Sequence, residues 1–335
     1  MIDLRQAALG IAVVVAMVAA PAFLTDRHIH ILIQILLFAY LSSCWNILGG
    51  FTGQLSFGHA LFLAVGAYTS TLLLLRLGVS PWLGMIAGGL LAAGLGLFIG
   101  YLSFRYGIKG TYFVLVTLAF TEIARIIALN TSSIGGALGL YIPIQADEPW
   151  QLKFVNKAHY YHVILGFALL ALAVTAWLER SPTGHRLVAI RENEDAAQAL
   201  GINLLRYKLL ATALSAFLTA LGGTFYAHYV TFIDPHTLLN MNLSLEITIY
   251  AIVGGAGTLI GPVLGAAVLV PIAESVRSTL GHNYAGVHLV VYGALLMAIV
   301  RFAPDGLVGF LRSLRVPGPR SGLVVQSPET TEAKP

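Results

Sequence analysis

The sequence predicts an all-α integral membrane protein of about ten transmembrane helices. Charged residues make up 10% of the 335 residues and apolar residues 57%, whereas charged residues form about 25% of an ordinary soluble protein. A soluble fold of this size could not cover its surface with so few charges. The apolar residues also fall in stretches of roughly 20, the length that a helix needs to cross a bilayer.

Ten apolar stretches are candidate spans. They lie near 7–24, 29–48, 55–75, 82–104, 111–129, 160–178, 208–230, 242–254, 259–280 and 284–301. The eighth is short and runs directly into Gly254 and Gly255. Because glycines interrupt helices, we expect a broken or re-entrant helix near 254–262.

The chain divides into three parts. Residues 1–28 hold the first span and a short outer loop, and 29–314 form the main membrane domain. The polar segment 315–335 is rich in Pro, Ser, Thr and Glu and is predicted to be a disordered cytoplasmic tail. The A-x-A-like sequence Ala20-Pro21-Ala22 leaves open that the first span is a cleaved signal peptide.

The basic residues predict the orientation. Ten spans put both termini on one side, and Arg180, Arg186, Arg191, Arg206 and Lys208 fall on that same side. Because lysine and arginine concentrate on the cytoplasmic side of membrane proteins, both termini are predicted to be cytoplasmic. The basic residues are scattered along the chain, so we expect no nucleic-acid partner.

The sequence lacks the motifs that are typical of ATP binding, dinucleotide binding and metal binding. The chain has no G-x-x-x-x-G-K-[ST] loop for ATP, and its glycine run at 254–257 lacks the third glycine of a dinucleotide loop. No H-E-x-x-H pair or Cys/His metal spacing is present, and Cys44 is the only cysteine. We therefore expect no enzymatic activity, metal or cofactor in this chain, with a membrane enzyme as the most distant alternative.

The cytoplasmic loop 179–207 is long and polar, and long ordered loops are often functional. Asn193 is a plausible helix N-cap, and Glu194 and Asp195 suit the first turn of the helix. Ala196 and Ala197 continue this helix, and Gly201 stops it. A short helix of this kind either fits a groove in another protein or packs on the spans of its own chain, and the local pattern leaves both open.

Motifs along the chain carry a family resemblance. Asp195-Ala196-Ala197-x-x-x-Gly201 resembles the E-A-A-x-x-x-G loop of ABC-importer permeases. The longer loop 181–203, together with segments 53–60, 111–123, 254–266 and 302–307, is similar to M-type (LivM-type) permeases of branched-chain amino-acid ABC importers. The family often has T-G-G-x-x-G-L after the fifth span, whereas this chain has a different sequence at 131–140, which weakens the inference about substrate.

The resemblance implies a function and a set of partners. The chain would be one permease of a heterodimer in the bacterial inner membrane, working with two ATP-binding subunits and an extracytoplasmic protein that delivers leucine, isoleucine or valine. The implied ATPase-coupling residues are Arg191, Glu194, Asp195, Ala196, Ala197 and Gly201. Urea, short amides or aromatic acids are alternative substrates, and an ion-coupled secondary transporter is the alternative of another class.

Ionisable residues within spans are candidate functional sites because they are costly in a bilayer. Glu122 and Arg125 are spaced to pair on one helix face, either as a structural pair facing the bundle interior or as part of a translocation path. Glu246 lies near the outer end of a short span and could reach water. Gln54, Ser56 and His59 form a polar patch at the predicted start of the third span, with helix packing or a role in translocation as the two interpretations.

Overall fold

The computed structural model describes residues 14–143, 147–280 and 306–315, together with Gly293, Met297 and Arg301. Within these residues the fold is all-α apart from one two-stranded ribbon. The helices are α1 (Asp26–Thr52), α2 (His59–Leu77), α3 (Pro81–Arg105), α4 (Thr111–Asn130), α5 (Lys157–Arg180), α6 (Pro182–Glu192), α7 (Glu194–Ala199), α8 (Leu204–Val230), α9 (Pro235–Leu238), α10 (Met241–Gly255), α11 (Gly261–Leu280) and α12 (Gly306–Arg315).

The prediction of an all-α membrane protein is confirmed. Among the described residues, seven helical segments are long and apolar enough to span a bilayer: α1 to α5, α8, and α9 with α10. The apolar stretch of α11, Gly261–Val276, is shorter than the seven spans. Of the first predicted span, residues 14–19 are helical and Ala20–Ala22 form a 3-10 turn. The rest of that span, most of span 284–301 and the tail from 316 lie outside the described residues.

Helix α1 is the most buried of the membrane-capable helices, and beside it α2, α3 and α8 pack closely because glycines face the neighbouring backbone. A Cβ atom on Gly66 of α2 would lie 2.0 Å from the carbonyl oxygen of Ala220 on α8. A Cβ on Gly223 of α8 would lie 2.0 Å from the carbonyl oxygen of Leu63. Helices in membranes associate tightly where small residues line the contact, and this contact fixes α2 against α8.

Other glycines also line close contacts between helices. Gly84 and Gly88 of α3 face α2, and Gly96 faces Ala216 of α8. At the other side of the molecule, a Cβ on Gly265 of α11 would lie 1.9 Å from the carbonyl oxygen of Tyr250, so α10 and α11 form a tight hairpin.

The two ends of the bundle differ. The loop end carries the segment 181–203, which joins α5 to α8. The strand end carries β1 (Leu140–Tyr141), paired antiparallel with β2 (Phe232–Ile233). The link between α10 and α11 also lies at the loop end, because Gly257 approaches both Gly50 and Arg191.

The chain between α1 and α2 is extended rather than helical. We expected a span from residue 55, but α2 begins at His59. Gly53 adopts a left-handed conformation (φ +71°) and ends α1. Residues 53–58 then turn back into the bundle. Trp45 donates a hydrogen bond to the carbonyl of Ser56, and Ser244 donates one to the carbonyl of Phe57. The N–H of Phe57 donates to Thr117 Oγ1. Non-helical backbone inside a membrane protein is tolerated where other protein groups form hydrogen bonds with its N–H and carbonyl groups.

The predicted break near 254–262 is observed. Helix α10 ends at Gly255, where φ is +126°, and α11 begins at Gly261. The side chain of Asn46 on α1 holds the link, since its Oδ1 accepts from the N–H of Gly257 at 2.7 Å and its Nδ2 donates to the carbonyl of Thr258 at 3.0 Å. Both non-helical links are therefore anchored on α1.

Candidate functional site

The loop-end segment 181–203 folds into two short helices. The Ser181 side chain caps α6 by accepting a hydrogen bond from the N–H of Gly184 at 3.0 Å, and Pro182 occupies the first turn. Sequence analysis missed this helix, although serine followed by proline is a typical helix start. The second helix, α7, starts as predicted, because Asn193 Oδ1 accepts from the N–H of Ala196 at 3.0 Å.

The exposed face of α7 consists mostly of small side chains and is partly apolar. Gly201 has φ +83° and follows the helix as the predicted stop signal. Asp195, Ala196, Gln198 and Ala199 are exposed, and Leu200 at the tip is 81% exposed. An exposed leucine beside small residues suits insertion into a groove of another protein. Leu200 was not among the predicted coupling residues, although an apolar residue before a stop glycine on a polar loop could have indicated it.

Two of the predicted coupling residues in α7, Glu194 and Ala197, do not lie on this face. Ala197 is 2% exposed and packs inside the chain. It lies on the opposite side of α7 from Asp195 and Ala199, which are both exposed.

Glu194 connects α7 to the interior of the chain. Its Oε1 accepts from Lys208 Nζ at 2.6 Å and from Gln54 Nε2 at 3.2 Å. Lys208 is buried at the start of α8, and Gln54 belongs to the extended segment 53–58. The carboxylate of Glu194 therefore points inward and links α7, α8 and segment 53–58.

Arg191 provides a second internal connection. Its Nη1 donates to the carbonyl of Gly50, near the end of α1, at 2.9 Å. The same guanidinium lies against Gly257 in the α10–α11 link, where a Cβ would meet Nη1 at 2.3 Å. The other side of the guanidinium pairs with Glu192 at 2.6 Å. Arg191 thus contacts the end of α1 and the second non-helical link at once.

Segment 53–58 leads from this end to a buried histidine. Ser56 is buried and its Oγ accepts from the N–H of Gly58 at 3.2 Å. His59 is fully buried, and its Nε2 lies 2.8 Å from Ser215 Oγ, which in turn donates to the carbonyl of Cys44 at 2.7 Å. Among the described residues, His59 Nδ1 and Gln54 Oε1 have no hydrogen-bond partner. These groups pack α1, α2 and α8 together at the point where the extended segment becomes a helix.

Glu122 and Arg125 form the pair that their spacing predicts, with Arg125 Nε donating to Glu122 Oε2 at 2.9 Å. The expectation that this pair faces the bundle interior does not hold within this chain. The side chains are 50% and 28% exposed, because α4 packs against the bundle with its opposite face, which carries Phe113, Thr117 and Thr121.

A cavity of about 440 Å³ lies at the strand end, between α1, α8, α10 and α11. Glu246 and Glu274 line it from α10 and α11, and Gln34, His30 and Tyr229 form a hydrogen-bonded polar wall. Its apolar lining includes Leu37, Phe38 and Val270. Such a volume is typical of sites for small molecules, and the mixed lining suits a ligand that has both a charged and an aliphatic part.

Comparison with known proteins gives a consistent picture. Residues 28–300 match the family described as branched-chain amino acid transport system / permease component. The high-affinity branched-chain amino acid transport system permease protein LivM of Escherichia coli K12 is 28% identical over 92% of this chain and 76% of its own length.

Two relatives come from Methanocaldococcus jannaschii. Its probable branched-chain amino acid transport permease LivM is 25% identical over 81% of this chain and 90% of its own length. Its probable permease LivH is 26% identical over 76% of this chain and 82% of its own length. No solved structure matches. With more than half of its length matched to the family, and with the described bundle and loop-end helices, the chain belongs to the branched-chain amino acid transport system permease family.

Proposed function

We propose that this chain couples ATP hydrolysis on separate subunits to the import of branched-chain amino acids. The observation that carries this proposal is the construction of the loop end. Leu200 and the small residues of α7 are exposed outward, while Arg191 and Glu194 connect the same segment to both non-helical links inside the bundle.

The contacts support a mechanism for coupling. A displacement of α7 by an ATPase subunit would pull on Gln54 through Glu194 and on Gly50 through Arg191. Segment 53–58 and the α10–α11 link would then shift relative to the rigid contact between α2 and α8. Non-helical segments inside a bundle change conformation more readily than continuous helices, and transporters often place their pathways beside them.

The strand-end cavity supports the substrate class. A branched-chain amino acid carries an ammonium group, a carboxylate and an aliphatic side chain. Glu246 and Glu274 suit the ammonium group, and Leu37, Phe38 and Val270 suit the aliphatic part. We propose this cavity as the outer part of the path, which places the strand end outside the cytoplasm.

The orientation follows from the same proposal. The loop end and both termini would be cytoplasmic, in agreement with Arg180, Arg186 and Arg206 at that end. The proposed complex lies in a bacterial inner membrane and contains a second, different permease, two ATP-binding subunits and an extracytoplasmic binding protein. Catalysis is assigned to the ATP-binding subunits and not to this chain.

Leu200→Glu tests the docking surface. We expect this variant to insert in the membrane but to lose the ATPase subunits on purification, because a carboxylate would enter the apolar groove that Leu200 fills. The matched control is Leu138→Glu, since Leu138 is 89% exposed beside β1 at the strand end. ATPase subunits co-purifying with each variant are quantified, together with leucine uptake in vesicles.

Three outcomes would contradict the proposal. Full retention of the ATPase subunits by Leu200→Glu would remove α7 as the docking surface. Equal loss in both variants would show a general effect of the substitution. Leucine uptake driven by an ion gradient in vesicles without ATPase subunits would favour the secondary transporter instead.

A further inference from the structure

Helix α4 is the least covered of the membrane-capable helices among the described residues. Its exposed residues recur every three to four positions and form a continuous stripe. They include Tyr112, Leu115, Ala119, Glu122, Ile123 and Ile126. This periodicity identifies one face of α4 that no described part of the chain covers.

The stripe differs from an ordinary lipid-facing surface because it carries an ion pair. Glu122 lies eight residues from the end of α4, about 12 Å at the rise of an α-helix, so its carboxylate is deep in the span. The exposed face of α3 provides the comparison. Its residues, such as Leu90, Leu91 and Phe98, are apolar, and the sequence from Pro81 to Phe104 has no charged residue.

The polar part of the stripe continues onto α9. His236 is exposed, and its Nδ1 lies 3.4 Å from Arg125 Nη1. His236 also lines the strand-end cavity that contains Glu246. We name Glu122, Arg125, Ile126 and His236 the α4 patch, which is therefore contiguous with the cavity.

We propose that the α4 patch is the contact surface for the second permease subunit and that this subunit closes the cavity from the side. The inference rests on the proposed function, since it takes the importer to contain two permeases. Ionisable groups in membrane spans almost always face other protein or a water-filled cavity rather than lipid. A soluble ATPase or binding protein, which acts from outside the bilayer, cannot reach Glu122 at this depth.

The occupant is a different permease rather than a second copy. Two permeases of different type, named LivM and LivH, occur together in one of the organisms that carry relatives of this chain. A patch that combines an acid, a base and an imidazole with apolar residues suits a partner helix that offers hydrogen-bonding side chains. Such side chains form hydrogen bonds between helices in membranes.

Photocross-linking in the assembled complex tests the proposal. Ile126 is replaced by photoreactive p-benzoylphenylalanine, and Leu91 on the exposed face of α3 is replaced in a matched control. After illumination of membranes, we expect an adduct at position 126 that contains peptides of a different permease, and a lipid adduct alone at position 91. An adduct at 126 with lipid alone, or with a second copy of this chain, would overturn the proposal.

A double variant gives an independent measurement. If lipid covers the patch, Glu122→Leu with Arg125→Leu should leave the complex intact, because it only makes the surface more apolar. If the second permease covers it, we expect the affinity for that subunit to fall about tenfold through loss of interhelical polar contacts. An unchanged yield of the second permease would contradict the inference. The proposed function predicts that the ATPase subunits bind at the loop end. If the double variant keeps both the ATPase subunits and the second permease, only the inference about the α4 patch fails and the proposed function stands.

Discussion

At the scale of single residues, the carboxylate of Glu194 connects the parts of the loop end. One oxygen accepts from both Lys208 and Gln54, and the side chain of Lys208 is 6% exposed. Removing one partner of a buried ion pair leaves an uncompensated charge, whereas removing both replaces the pair by packing. We therefore expect Glu194 to affect stability through Lys208 and, under the proposed function, coupling through Gln54.

These two effects can be separated. Glu194→Ala is expected to lower the free energy of unfolding by about 2–4 kcal/mol, because it leaves the Lys208 charge buried. Adding Lys208→Met should restore most of that stability without restoring uptake, since Gln54 still lacks its acceptor. Thermal unfolding of the purified complex and leucine uptake measure the two quantities. Recovery of uptake in the double variant would show that Glu194 acts only through Lys208.

The ends of α7 could be predicted from the sequence, whereas the directions of its side chains could not. The cap at Asn193 and the stop at Gly201 were predictable because they depend on the local chain. The inward direction of Glu194 depends on Gln54, which is 140 residues away in sequence. The burial of Ala197 likewise depends on tertiary packing, which a local pattern does not contain.

At the scale of secondary-structure elements, the helices could be predicted from the sequence more completely than the non-helical links between them. Most boundaries of the described spans agree with prediction to within a few residues, because composition and length determine where a helix can cross a membrane. The break after Gly255 was predictable from its glycines. The extended segment 53–58 was not, since its apolar and polar residues resemble the start of a helix and its backbone is satisfied by distant groups such as Thr117 and Ser244.

The contact between α2 and α8 makes a prediction about two glycines. Gly66→Ala would place a methyl group 2.0 Å from the carbonyl oxygen of Ala220, and overpacking of this kind costs about 1–3 kcal/mol. Gly94→Ala on α3 meets nothing within 4 Å and is expected to stabilise its helix by about 0.5–1 kcal/mol. The melting temperatures of the two variants should therefore shift in opposite directions. A Gly66→Ala protein with an unchanged melting temperature would contradict the packing described for α2 and α8.

At the scale of the whole molecule, the described chain has two different ends joined by the tight contact between α2 and α8. The strand end holds the cavity with Glu246, and the loop end holds α7 and the two non-helical links. Arg191 and Glu194 connect the loop-end helices to these links, and the α4 patch is the proposed site where a second permease completes the path. The proposed function therefore predicts that an isolated permease does not transport, because its energy source and one wall of its path would lie on other subunits.

We propose that α6 and α7 transmit the motion of the ATPase subunits to segment 53–58 and the α10–α11 link. The most direct measurement is the number of leucine molecules transported per ATP hydrolysed by the complete complex in proteoliposomes, for the unchanged protein and for Arg191→Ala. Arg191→Ala removes the contacts with Gly50 and Gly257 but leaves Leu200 and the exposed face of α7 in place. We predict that ATPase subunits remain bound and that the ratio falls several-fold, because ATP hydrolysis continues while the two non-helical links no longer follow the motion of α6 and α7. An unchanged ratio in a fully assembled complex would contradict the account.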